Sequence, residues 1–115
     1  MYGIDDLDDT IARLRAYRDA GADVVYAPGL VDVEAIARVV RDVGIPVNVL
    51  ARPNGPSVPQ LEAVGVRRVS TGGALAFAAY GALAAAVREL LSSGTSTYVS
   101  AALSAADRRG AFGGQ

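Results

Sequence analysis

The sequence contains no cysteine among its 115 residues. This excludes a disulfide framework and a thiolate site, and it suits a reducing compartment without demanding one. Charge of one sign is also missing. Eleven basic residues against 12 acidic ones leave a net charge of −1, with neither a basic stripe nor an acidic block, so nucleic acid is not an expected partner. Long hydrophobic runs are scarce. The longest, Ala74 to Val87, is rich in alanine and reads as too short to span a bilayer, so no membrane partner is expected. The N-terminal "MYGIDDLDD" is acidic and has no apolar centre, unlike a signal peptide. The expected location is the cytoplasm. What the chain does have is 51% hydrophobic residues. That is enough to bury a core, in a length that fits one domain.

Leu7, Ile11, Leu14 and Tyr17 recur at helical spacing and predict a first helix from about Leu7 to Ala20 with these four on one face. Asp5 and Asp6 are candidate N-caps. Asp8 and Asp9 fall in the first turn, where the helix dipole favours negative charge, and Gly21 ends the helix. The apolar run "ADVVYA" then predicts a strand at 22–27, broken by Pro28-Gly29. Asp32 is placed to cap a second helix with an Ile36, Val39, Val40, Val43 face and a stop at Gly44. Pro46 opens a second strand, a position proline tolerates. "ARPNGP" turns the chain, and Ser57-Val58-Pro59-Gln60 matches the capping box of a short third helix with Leu61 and Val64 as its apolar contacts. A third strand follows at 66–70. Gly72-Gly73 lead into a long alanine-rich helix, about Ala74 to Leu91, ended by Gly94. The remaining tail holds one further short helix.

The order is helix, then strand and helix three times over, with strand starts near 22, 46 and 66. Such spacing is that of parallel strands joined by crossover helices, and apolar strands suit a sheet covered by helices. A small doubly wound sheet and part of a (β/α)8 barrel both fit. A complete barrel needs about 250 residues.

The runs "GADVVYAPGL" and "IPVNVLARPNGPSVPQLEAVGVRRVSTGGAL", preceded by "DDLDDTIARLRAYRDAGAD", resemble the C-terminal part of the isocitrate lyase / phosphoenolpyruvate mutase superfamily. The similarity is to its carboxyvinyl-carboxyphosphonate phosphorylmutase-like branch and covers residues 5 to about 94. The resemblance implies an α/β fold of parallel βα units, the last three strands and four to five helices of a TIM-type barrel. Residues 1–94 would form the partial barrel and 95–115 a tail. It also implies Mg2+ in the complete enzyme, where the ion stabilises an enolate-like oxyanion while a C–C or P–C bond next to a carboxylate is made or broken. The family's metal-organising carboxylates, its lysine-cysteine loop and its fifth-strand arginine all belong upstream of the matched part. No catalytic residue, metal ligand or Mg2+ of its own is therefore expected in this chain. The expectation is a truncated product, an incomplete gene model or one piece of a split protein.

In this architecture ligands meet the carboxyl ends of the strands. Asn48 is an amide inside an apolar strand, and a buried amide needs partners. Either it faces the barrel interior and contacts a small carboxylate substrate or an ordered water, or it bonds neighbouring strand backbones and is structural. Alternation puts Asn48 on one face and Val47 and Val49 on the other. Ser70 and Gly72 precede the long helix, whose first N–H groups suit an anion. The plainer reading is a tight turn with Ser70 or Thr71 as cap. Arg52 is placed to pair with a substrate carboxylate, or is simply solvated. Arg67 and Arg68 are expected to be surface ion-pair partners, and the run of aspartates at 5–9 a helix start instead of a metal cluster. Asn48, Arg52, Ser70 and Gly72 are the substrate-binding candidates. Two functions follow. One is the C-terminal piece of a superfamily lyase or phosphonomutase, inactive alone. The other is a non-catalytic α/β binding module. Open strand edges predict self-association or pairing with a missing N-terminal half.

Overall fold

The computed structural model describes residues 6–113. They form two compact units, divided between Gly72 and Gly73. In the first, α1 (Leu7–Asp19), β1 (Val25–Tyr26), α2 (Val33–Val43), β2 (Val47–Leu50), α3 (Val58–Ala63) and β3 (Arg68–Ser70) follow in order. The second holds α4 (Ala74–Ser93), a 3-10 turn (Thr97–Ala101) and α5 (Ala105–Phe112).

The three strands make one parallel sheet in the order β1-β2-β3. Val25 stands opposite Val47, and Tyr26 opposite Asn48. Asn48, Val49 and Leu50 stand opposite Arg68, Val69 and Ser70. The strands are shorter than the apolar runs that announce them. Strand β1 keeps two residues, because its ladder ends where Pro28-Gly29 take over and Ala22 turns to pack against the core. Pro46 has no N–H to give, yet its carbonyl accepts from Val25 at 3.0 Å, so proline at the strand entrance costs the ladder nothing.

A single buried cluster joins Ile11 and Leu14 of α1, Ile36, Val39 and Val43 of α2, Leu61 of α3, and Val25, Val47 and Val49 of the sheet. The valines of β2 thus face the helices, which is why a β-branched run suits this strand. Tyr17 departs from the expected apolar face of α1 and is 57% exposed, since Ile11 and Leu14 already fill the contact and a phenol keeps its polar end in water.

Each helix of this unit is capped by its own residues. Asp6 accepts from the Asp9 N–H at 3.0 Å and Asp32 from the Ala35 N–H at 2.8 Å. Asp5, the other candidate cap, lies outside the described residues. Gln60 Oε1 accepts from both the backbone N–H and the hydroxyl of Ser57, each at 2.9 Å. Gly44 ends α2 in the left-handed conformation. Helices α1 and α2 are also bound by charge. Arg15 Nε donates to the Asp42 carbonyl at 2.8 Å and Arg18 Nη1 to the Val43 carbonyl at 2.7 Å, so α1 supplies cations to the negative end of α2.

In the second unit, α4 runs six residues beyond the apolar stretch seen in the sequence. Arg88 and Glu89 end the run of apolar residues without ending the helix, which continues to the left-handed Gly94. By length and composition alone α4 is long and apolar enough to cross a membrane. The expectation that this segment is too short is corrected accordingly. Mostly buried core helices of soluble proteins pass the same test, but α4 has no buried residue. Its N-cap is Gly73, with no side-chain hydrogen bond, so neither Ser70 nor Thr71 caps it.

Candidate functional site

Because Val47 and Val49 belong to the helix-facing core, alternation directs Asn48 to the opposite face of the sheet. In register with it on that face are Tyr26 and Arg68, and one step along lie Leu50 and Ser70. Asn48 is 2% exposed and is the buried polar residue of the described core. Its Nδ2 donates to Ser70 Oγ at 2.9 Å. Its Oδ1 is shielded from solvent and has no hydrogen-bond partner among the described residues, an arrangement that ordinarily costs about 1–3 kcal/mol. The amide is therefore half satisfied: its NH2 is committed to Ser70, and its oxygen has no partner among the described residues.

The carboxyl ends of β2 and β3 are held together just beyond this pair. The Ala51 N–H donates to the Ser70 carbonyl at 2.8 Å. Arg52 follows directly and begins the turn in which the Gly55 N–H returns to its carbonyl at 3.0 Å. Its side chain is exposed and takes part in no ion pair among the described residues. Gly72 has φ +53°, and a Cβ there would lie 3.5 Å from Leu50 Cδ1. Its backbone, more than a lack of space, calls for glycine. The fold thus bonds Asn48 to Ser70, sets Gly72 against Leu50, and leaves Arg52 on the adjoining loop. Tyr26 was not singled out from the sequence. Its place opposite Asn48 depends on strand register, which the chain's pattern does not carry.

The acidic residues near the N-terminus are engaged elsewhere. Asp6 caps α1, Asp8 pairs with Arg38, and Asp9 pairs with Arg13 at 2.8 Å. The hydrogen bond to Asp8, with its charge, raises the Arg38 pKa. Among the described residues no group of three or more histidine, cysteine, aspartate or glutamate side chains is placed to hold a metal ion. The described residues thus hold no such cluster for the Mg2+ that the resemblance implies. Arg67 and Arg68 form no ion pair among the described residues, contrary to expectation. They lie on an open groove with Val58, Leu61 and Glu62.

Residues 2–91 match the phosphoenolpyruvate phosphomutase family. The fold matches a crystal structure from Burkholderia cenocepacia J2315, assigned as a lyase/mutase, with TM-score 0.84 and 53% identity. That match covers 98% of this chain and 42% of the other. It also matches 2,3-dimethylmalate lyase, a member of the phosphoenolpyruvate mutase/isocitrate lyase superfamily, with TM-score 0.69 and 29% identity over 84% of this chain and 35% of that one. An uncharacterised protein of Mycobacterium tuberculosis is 43% identical over 67 residues, 58% of this chain and 26% of its own length.

A parallel α/β sheet with these relatives defines the class: part of a TIM-type barrel. The chain belongs to the phosphoenolpyruvate mutase/isocitrate lyase superfamily. It spans about two-fifths or less of the length of the relatives it matches.

Proposed function

We propose that this chain supplies three βα units to a lyase or mutase acting on small carboxylates, and that Asn48 lies on the substrate side of its sheet. The observation that carries the reading is the buried amide whose acceptor oxygen has no partner. It sits on the face turned from the core helices, and its amide reaches Ser70, the last residue of β3, at the end of the sheet where barrel enzymes of this type meet their ligands. Ser70 orients the amide. Arg52 is the cation on the same rim for a substrate carboxylate, and Gly72 keeps the loop close to Leu50. The named relative that acts on 2,3-dimethylmalate supports a small carboxylate as the substrate class.

Magnesium, on this reading, belongs to the complete enzyme and is held by residues outside this chain. On the same reading, bond making and breaking next to a carboxylate belongs to the complete enzyme. Among the described residues the two outer strands each pair along one edge only, so the chain is expected to associate, with itself or with the rest of the enzyme.

The test is an assay of the 115-residue chain with Mg2+ and a panel of small 2-oxo and 2-hydroxy acids. No turnover is expected. Turnover that a chelator abolishes would overturn the assignment of the metal to residues outside the chain.

A further inference from the structure

An asparagine offers two different faces to a ligand: an NH2 group that donates and a carbonyl oxygen that accepts. Here the choice between them is already made. Nδ2 donates to Ser70 Oγ at 2.9 Å, and what remains without a partner, shielded from water, is Oδ1. We infer that the ligand group Asn48 recognises is a hydrogen-bond donor, so that the site selects a 2-hydroxy acid over the matching 2-oxo acid. This rests on the reading of the Asn48 face as the substrate side. A keto or carboxylate oxygen carries lone pairs only and would set acceptor against acceptor. A hydroxyl brings the proton that Oδ1 lacks. Sites built to bond a hydroxyl discriminate strongly against the analogue without it, because the protein group is then left unpaired.

Two features hold the Ser70 hydroxyl beside the amide. Ser70 stands two residues beyond the Asn48 pairing on β3 and so on the same face of the sheet, with its hydroxyl 2.9 Å from Asn48 Nδ2. The Ser70 carbonyl is held by the Ala51 N–H at 2.8 Å, so the backbone carrying that hydroxyl is fixed from the β2 side. The neighbours in register, Tyr26 and Arg68, are themselves exposed.

The experiment uses the full isotope-labelled chain and a pair of probes that differ only in the group at issue, lactate and pyruvate. The readouts are the Asn48 side-chain carbonyl carbon and its NH2 protons by NMR, with Ser70→Ala to identify the Nδ2 bond. Lactate is expected to shift the Asn48 carbonyl carbon, with pyruvate needing at least about tenfold more for the same shift. The NH2 signals should move in Ser70→Ala and stay put on adding lactate. Equal responses to the two acids would overturn the selection of a donor while leaving the substrate-side reading standing. A response to neither acid, with a water molecule detected beside Asn48, would overturn both. NH2 protons that respond to the acids but not to Ser70→Ala would reverse the amide and overturn the inference.

Discussion

Asn48 Nδ2 donates to the Ser70 hydroxyl at 2.9 Å, a side-chain tie between β2 and β3. Removing either end has unequal consequences. Ser70→Ala leaves the buried NH2 unpaired beside an oxygen that already lacks a partner, and should cost about 1–3 kcal/mol. Asn48→Val removes the unpaired oxygen together with the donor, and gives a strand a β-branched side chain. The Ser70 hydroxyl it leaves behind is half-buried and open to solvation. Asn48→Val should therefore cost less than about 1 kcal/mol, or stabilise. Urea midpoints at equal slope measure both. A larger loss for Asn48→Val than for Ser70→Ala would contradict the half-satisfied amide.

The core of the first unit is set by Ile36, which is fully buried among the residues of α1, α2, α3 and the sheet. Ile36→Ala should cost about 2–5 kcal/mol through lost burial and the cavity left behind. Tyr17→Ala, on the exposed side of α1, should stay within about 0.5 kcal/mol. The pair is a direct check on which way α1 is turned. A Tyr17 loss comparable to that of Ile36 would mean the helix presents the face its sequence spacing first suggests.

That contrast shows where the sequence is informative. Helix starts were legible because capping is local: Asp6, Asp32 and Ser57 act within three residues. The helix-facing valines of β2 were legible because alternation needs only one strand. Strand lengths were not, because β1 ends where its neighbour stops pairing, and Tyr26 could be matched to Asn48 only through that pairing. The Asn48–Ser70 bond spans 22 residues. Either residue could be singled out from the chain, but their contact is a property of the register between β2 and β3.

A similar long-range feature is the pair of arginines that α1 lends to the end of α2. Arg18 reaches the Val43 carbonyl at 2.7 Å and is partly buried, whereas Arg15, on the Asp42 carbonyl at 2.8 Å, is exposed. Arg18→Met keeps much of the side chain's apolar length and deletes a charge-assisted bond to carbonyls with no intrahelical donor. It should cost about 1 kcal/mol, with a smaller loss for Arg15→Met because water replaces that bond more easily. Amide exchange at the last turn of α2 should rise in Arg18→Met. Unchanged exchange there would remove Arg18 from the account of how α2 ends.

In the second unit, Glu89 does for the 3-10 turn what a capping side chain does for a helix. Its Oε1 accepts from Thr95 Oγ1 at 2.8 Å and from the Thr97 N–H at 2.6 Å, and its Oε2 accepts from Thr97 Oγ1 at 2.9 Å. Ser96, the residue at the N-cap position, makes no side-chain bond of its own. Hydrogen bonds from the Thr95 hydroxyl, then from the Thr97 backbone, hold the Glu89 carboxyl below the usual glutamate pKa. A depressed carboxyl favours the folded arrangement fully above the unfolded pKa and loses that preference as pH falls through the folded one. The turn at Thr97–Ala101 should therefore hold at neutral pH and loosen in acid, with a midpoint below the ordinary glutamate value. The Thr97 amide shift, followed by NMR from neutral pH downward, reads this directly, and Glu89→Gln should erase the titration. A midpoint at or above the ordinary value, or a Glu89→Gln chain that still titrates at the Thr97 amide, would show that another group holds the turn.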